Sequence, residues 1–133
     1  MAINNVNVDE KYVYSELSHD IIGAAYDVQN KIGVGHPEKT YQKALGAELF
    51  RRGRTYREQV TVTLKYENIV DIKRRFDFIV EEKVVVELKV GPHIGRSDFL
   101  QINEYLKMSK MQLGLIILFS SKGVKVRRVI NIK

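Results

Sequence analysis

The chain has 133 residues, of which 44% are hydrophobic and 29% charged, a composition typical of one folded domain and not of a disordered protein. It contains no cysteine, which excludes disulfide bonds, thiolate zinc sites and cysteine-bound iron–sulfur clusters. Lys and Arg number 22 against 16 Asp and Glu, and the net charge of +6 favours a polyanionic partner such as nucleic acid.

Two helices are predicted in the first half of the chain, after a polar start. The segment MAINNVNVDE lacks the basic start and apolar run of a signal peptide, and we expect residues 1–14 to form a polar, flexible leader. No apolar stretch is long enough to span a bilayer, which predicts a cytoplasmic protein without membrane contact. Apolar residues recur at three- and four-residue steps over residues 17–32, the pattern of an amphipathic helix that ends at Gly33. A second helix is predicted from Pro37 to Gly53.

Five strands and a third helix are predicted in the rest of the chain. The second and third strands form a hairpin, and in the first of these Phe76, Phe78 and Val80 are expected to face the core together. A loop with Gly and Pro leads to a helix that begins near Ser97. The last strand carries Lys and Arg, which predicts a sheet edge. The predicted strands span residues 60–66, 76–80, 84–88, 113–119 and 124–130.

The order of elements is helix, helix, three strands, helix and two strands. This order predicts an α/β (α+β) fold in which helices flank a mixed β-sheet, and not a regular series of βαβ units. Neither a linker nor a repeat interrupts the chain, so we expect a single domain over residues 1–133.

Two acidic residues interrupt the apolar strands of the predicted hairpin. Asp77 lies within RRFDFIV, and Glu87 lies within VVVELKV, where Lys89 follows on the same face of the strand. If a three-residue loop joins these strands, Val80 pairs with Val84. Asp77 then lies directly across from Glu87, with their β-carbons roughly 4.5–5.5 Å apart. The spacing therefore predicts that both acids and the lysine share one site.

Two carboxylates so close together repel each other and lose solvation, so a cation is expected between them. Oxygen ligands favour a hard ion, Mg²⁺ or Mn²⁺, which keeps waters that a phosphate can replace. Lys89 would then orient the attacking water or stabilise charge in the transition state. One alternative stays open: a Glu-x-Lys pattern in a strand usually marks a solvated face, and Asp77 with Lys89 would form only an ion pair.

Three further residues are candidates for the same site. Glu38 lies in the first turn of the second helix, where the helix dipole alone is a sufficient reason for an acid. Glu38 also shares a stripe with Tyr41 and Leu45, so the face that enters the core would carry the acid toward the metal. Arg74 and Arg75 come just before the predicted site and are the best candidates for binding nucleic-acid phosphates.

Beyond these patterns, the chain resembles a known family. The string Gly35-His36-Pro37-Glu38-Lys39-Thr40-Tyr41 resembles the signature of the GxxExxY proteins, and Asp77 followed by Glu87-Leu88-Lys89 resembles the core of the PD-(D/E)xK nucleases. The resemblance extends over nearly the whole chain and implies a restriction-endonuclease-like core of helix, three-stranded meander, helix and strand. Gln29 stands where a histidine is frequent, a departure that removes no implied metal ligand.

The resemblance also implies a role for each site residue. Asp77 and Glu87 would be metal ligands, the Leu88 carbonyl would complete the shell, and Lys89 would be the catalytic lysine. Glu38 would contact the metal through water. The third helix would contribute Gln101, and the supporting residues would be Tyr41, in the signature, and Tyr105, one turn after Gln101.

Our leading hypothesis is a Mg²⁺- or Mn²⁺-dependent nuclease that acts on nucleic acid, with DNA as the preferred substrate. A second hypothesis is an inactive nucleic-acid-binding or protein-interaction module that keeps the site residues. A glycosidase is disfavoured, because carboxylates on paired strands lie close to a lysine and leave no sugar groove. The sequence does not determine the oligomeric state, and a homodimer is compatible with it.

Overall fold

The computed structural model describes residues 13–131, which form three helices and five strands. The expected leader lies outside this part of the chain except for Val13 and Tyr14, and Val13 is buried in the core. Because residues 1–12 and 132–133 are not described, a single domain over the whole chain stays a prediction. The elements are α1 (Ser15–Ile32), α2 (Glu38–Arg51), β1 (Tyr56–Tyr66), β2 (Val70–Val80), β3 (Val84–Val90), α3 (Arg96–Ser109), β4 (Leu113–Ser120) and β5 (Gly123–Ile130).

The five strands form one sheet in the order β1-β2-β3-β4-β5. All neighbouring pairs are antiparallel except β3 and β4, which are parallel and are connected through α3. The predicted fold class, a mixed sheet flanked by helices, is therefore confirmed, as is the edge position of the last strand. Within residues 13–131 no helix is both long and apolar enough to cross a bilayer.

Helices cover both faces of the sheet. One core cluster joins α1 and α2 to the sheet and contains Ile21, Leu45 and Phe78. The other joins α3 to the opposite face and contains Ile102 and Phe76. Because side chains alternate along a strand, the acid and the lysine predicted on β3 lie on the α3 side of that strand.

β1 and β2 are longer than predicted, and their outer halves leave the sheet. β2 pairs with β3 only from Phe78 to Val80, whereas its pairing with β1 continues to Tyr66 and Val70. Residues 60–66 and 70–76 therefore form a two-stranded extension, the β1–β2 ribbon. The sequence analysis did not predict a strand over residues 70–75. Their pattern is polar, and pairing with β1, not packing against a helix, makes them a strand.

The ribbon begins where the pairing of β1 with β2 skips one position. Glu58 pairs with Phe78 and Val60 with Phe76, but the intervening Gln59 has a positive φ of 50°. The alternation of faces is interrupted at this point. Phe76 therefore packs under α3, while Phe78 packs under α1 and α2. Both are buried, as predicted, but in core clusters on opposite faces of the sheet.

Helix α3 rests on β4 at Gly114, which leaves no room for a side chain. A β-carbon at this position would lie 2.5 Å from Cγ2 of Ile102. We expect Gly114→Ala to lower the free energy of unfolding by about 1–3 kcal/mol, because α3 must shift to relieve the overlap. Urea unfolding followed by circular dichroism measures the change.

Gly23→Ala is the matched control, since its β-carbon would meet only the Arg52 side chain at 3.4 Å within helix α1. We expect this variant to be as stable as the wild type or more stable by about 0.5–1 kcal/mol, because alanine favours a helix. Equal stability of the two variants would show that α3 does not press on Gly114.

Candidate metal centre

Asp77 and Glu87 meet where β2 separates from β3. The predicted register is confirmed, since Val80 pairs with Val84. One step beyond the last backbone pair, the Asp77 N–H donates to Oε1 of Glu87 at 3.1 Å, and the Leu88 N–H donates to Oδ2 of Asp77 at 2.7 Å. The two carboxylates thus replace the backbone acceptors that the ladder would have supplied, and each acid is held beside the other strand.

The environment of this pair disfavours two negative charges. Burial and, after it, the nearby Asp77 carboxylate raise the pKa of Glu87 to about 8, whereas Lys89 acts in the opposite direction. Near neutral pH the Glu87 carboxyl therefore keeps a proton when no cation is near. A divalent cation would take the place of that proton.

Lys89 is held in position by an acid that sequence analysis missed. Its Nζ lies 3.4 Å from Oδ1 of Asp98 in the first turn of α3, and the other Asp98 oxygen accepts the Gly95 N–H at 3.1 Å. Burial alone would lower the pKa of Lys89, but Asp98, Glu87 and Glu38 raise it above its usual value. The sequence did contain a clue, since an acid at the third position of a helix can accept the N–H of the residue that precedes the helix.

Glu38 is near the pair but not within it. It is the first residue of α2, and its side chain is exposed. Partial desolvation raises its pKa, Lys89 opposes this shift, and Asp77 and Asp98 reinforce it. Among the described residues, no three His, Asp or Glu side chains are grouped closely enough to hold a metal ion together. In this geometry Glu38 is thus not a third direct ligand.

Tyr41 anchors the start of α2 and does not reach the acids. Its ring is buried and stacks on Phe119 at 4.2 Å between centroids, and its hydroxyl donates to the Gly33 carbonyl at 2.6 Å. Gln29, on α1, donates to the Ser120 carbonyl at 3.1 Å. Both residues join helices to the rest of the fold, and Tyr41 in this way sets the direction in which Glu38 leaves the helix.

Helix α3 brings Gln101 next to the basic segment of β2. Gln101 lines a cavity of about 520 Å³ that also contains Arg74 and Arg75. Arg74 pairs there with Glu104 at 3.1 Å. No hydrogen bond joins Gln101 to either central acid in the part of the chain described. Tyr105 is buried, with its ring centroid 4.8 Å from that of Phe76, so it supports the strand just before the site.

A second groove of about 580 Å³ runs between α2 and the β1–β2 ribbon and includes Asp77. Sequence analysis did not select most of its lining, because no motif connects the first turns of α2 with the middle of β1. The residues that line this groove are Glu38, Lys39, Gln42, Lys43, Glu58, Gln59, Arg75 and Asp77.

The donor set fits a hard divalent cation. Asp77 and Glu87 each use one carboxylate oxygen for a backbone N–H, which leaves the second oxygen of each free of the backbone. Carboxylate oxygens are the ligands that Mg²⁺ and Mn²⁺ prefer, and the described chain offers no histidine or cysteine beside them. A cation would also offset the repulsion that raises the pKa of Glu87.

The chain is similar to known proteins in sequence and in fold. The family model of the PD-(D/E)XK nuclease superfamily matches residues 15–129. The crystal structure of SSO0001 is similar over 92% of this chain with 15% identity and a TM-score of 0.57, which indicates a common fold; the chain spans 62% of that protein's length. The crystal structure of an alkaline exonuclease (LHK-Exo) from Laribacter hongkongensis is similar over 86% of this chain and 82% of that one, with 8% identity and a TM-score of 0.41. No curated protein sequence matches the chain.

The raised pKa of Glu87 predicts how stability depends on pH without metal. The folded state keeps a proton that the unfolded state loses near the ordinary value of 4.5, so this contribution to stability is complete below that pH and is lost as the pH rises through about 8. Urea unfolding in EDTA should show that the wild type loses more stability between about pH 5 and about pH 8.5 than Glu87→Gln does.

Glu82→Gln is a suitable control for this experiment, because Glu82 is exposed on the hairpin turn and, among the described residues, forms an ion pair with Arg57 alone. It should keep the pH dependence of the wild type. If Glu87→Gln also kept it, the proposed proton on Glu87 would be ruled out.

Proposed function

This chain belongs to the PD-(D/E)XK nuclease superfamily, and from that premise we propose that it hydrolyses phosphodiester bonds of DNA with Mg²⁺ or Mn²⁺. The observation that carries the proposal is the pair of carboxylates at the point where β2 separates from β3, with the ammonium group of Lys89 on β3 near Glu87. Asp77 and Glu87 provide oxygen ligands there, and Lys89 provides a fixed positive charge.

Asp77, Glu87 and the Leu88 carbonyl would hold the cation. A strand residue directs its N–H and its carbonyl to the same side, and the Leu88 N–H points toward Asp77. The Leu88 carbonyl is therefore expected on the side of the acids. When bound, the divalent cation supplies Lewis-acid stabilisation of phosphate charge and lowers the pKa of water. Glu38 would contact this centre through a water molecule.

Lys89 would act as a charged hydrogen-bond donor and not as a base. Its raised pKa keeps the ammonium protonated, and Asp98 holds it in place. Such a group orients the attacking water and stabilises negative charge that grows on the phosphate oxygens. Gln101, beside Arg74 and Arg75, would contact the substrate from the α3 side.

Several finer expectations stay predictions. The superfamily match does not extend to the narrower GxxExxY group, whose signature is the segment from Gly35 to Tyr41. We propose membership of that group. Tyr41 supports the proposal, because its hydrogen bond fixes the start of the helix that carries Glu38. DNA as the first candidate substrate and a cytoplasmic location are proposed from the sequence, which does not separate DNA from RNA; a homodimer is compatible with the sequence.

The proposal predicts metal-dependent cleavage that depends on each central residue. The purified protein should cut single-stranded, duplex or branched DNA with Mg²⁺ or Mn²⁺ and should not cut it in EDTA. Asp77→Asn, Glu87→Gln and Lys89→Met should each lower the rate by about 10²–10³-fold, a typical loss when a group that stabilises transition-state charge is removed. Gel assays with end-labelled strands measure these rates.

Lys122→Met is the control for Lys89→Met, since Lys122 is exposed in the turn between β4 and β5. It should cut like the wild type. Calorimetry should detect Mn²⁺ binding by the wild type and much weaker binding by Asp77→Asn. If no substrate were cut and no Mn²⁺ bound even with DNA present, an inactive binding module would be the better description.

A further inference from the structure

We infer that the groove between α2 and the β1–β2 ribbon takes a single strand of nucleic acid by its phosphates and does not distinguish its bases. The inference rests on the nuclease function proposed above and specifies the substrate of that same site. The groove contains Asp77, one of the two central acids, and Glu38 in its lining, so a strand that lies in it would have a phosphate beside the proposed reaction centre.

Three basic side chains face this groove from two walls. Lys39 and Lys43 are one turn apart on α2, so their β-carbons are about 5–6 Å from each other. That spacing is similar to the separation of successive phosphates along one strand. Arg75 faces them from the ribbon. The two lysines can thus contact neighbouring phosphates while the arginine contacts the same backbone from the other side.

These three cations are available for a ligand. Within residues 13–131, the side chains of Lys39, Lys43 and Arg75 form no ion pair or hydrogen bond. The neighbouring Arg74, by contrast, points toward α3 and pairs with Glu104. Arg75 lines that cavity as well as this groove, and within residues 13–131 its side chain pairs with no acid of the fold.

The charge of the groove couples strand binding to the metal centre. Its lining contains the acids Glu38, Glu58 and Asp77 as well as the three cations, so the two signs balance. A divalent cation at the central acids makes the groove positive and removes the repulsion between Asp77 and a phosphate. Because such coupling is reciprocal, the strand should raise the affinity for the metal as much as the metal raises the affinity for the strand.

The groove offers contacts to phosphates but no ring on which a base could stack. Its lining is charged or carries side-chain amides and includes no aromatic ring, whereas single-strand sites that hold bases do so by stacking them on aromatic side chains. Phosphate contacts position a strand but carry no sequence information. A volume of about 580 Å³ is that of a small-ligand site, which is large enough for a short piece of one strand.

Salt dependence of binding tests this inference without any turnover. The probe is a short fluorescein-labelled single-stranded DNA with phosphorothioate linkages, followed by fluorescence anisotropy in Mg²⁺ at several salt concentrations. Each lost phosphate contact on a single strand reduces the slope of log affinity against log salt by about 0.7. Lys39→Gln, Lys43→Gln and Arg75→Gln should each do so, and the triple variant should lose about 2.

Lys125→Gln is the matched control, because Lys125 is exposed on β5 at the edge of the sheet opposite to β1. It should keep the wild-type slope. A strand of the same sequence with uncharged methylphosphonate linkages should not bind, strands of different sequence should bind alike, and EDTA should weaken binding.

The inference is overturned if the groove variants keep the slope of Lys125→Gln, if the uncharged strand binds as well, or if blunt duplex binds more tightly than the single strand. These outcomes are separate from the fate of the nuclease proposal. A protein that binds the strand through these three residues but cuts nothing would contradict only the proposed activity, and cleavage that is insensitive to them would contradict only the groove.

Discussion

The backbone pairing of β2 with β3 ends at Phe78 and Val86, and the candidate site is built on the hydrogen bonds that replace it. A backbone N–H that loses its ladder partner must find another acceptor, and here Glu87 accepts from the Asp77 N–H while Asp77 accepts from the Leu88 N–H. Neither acid can turn away without leaving a donor unpaired. Two like charges are thereby held together at a cost that the raised pKa of Glu87 records. The hydrogen bonds that replace the backbone pairing of β2 with β3 therefore also hold two carboxylates where a cation can bind.

The separation of the strands also produces the surfaces around the site. Once β2 leaves β3, its outer half pairs with β1 alone, and the resulting ribbon has a groove on each side. Gln59 interrupts the alternation at the base of the ribbon, so Phe76 packs under α3 and the ribbon is held against the domain. Arg75 lines both grooves, whereas Arg74 lines the groove beside α3 and pairs there with Glu104.

The first turns of α2 and α3 supply the charges that complete the arrangement. Asp98 holds Lys89 from one helix, and Glu38 comes close to Asp77 from the other. Acids are favoured in first turns by the helix dipole, so these positions are stable in themselves. Packing brings these two acids near Lys89, where together with Glu87 they raise the pKa of the lysine above its usual value. Each acid can therefore stabilise the start of its helix and contribute charge to the site at the same time.

Residue patterns alone predicted the order of elements, the mixed sheet and the hairpin register through Val80 and Val84. They also predicted the two acids and the lysine that interrupt the strands of the hairpin. Such features can be predicted because hydrophobic period and turn length are local properties. The patterns did not determine the face of Phe76, the length of the ribbon or the roles of Asp98, Lys39 and Lys43. These depend on where β2 leaves β3 and on which helix turns face the opening, which follow from contacts between residues far apart in the chain. Only the tertiary structure brings those residues together, since no single segment carries a pattern that specifies its partner.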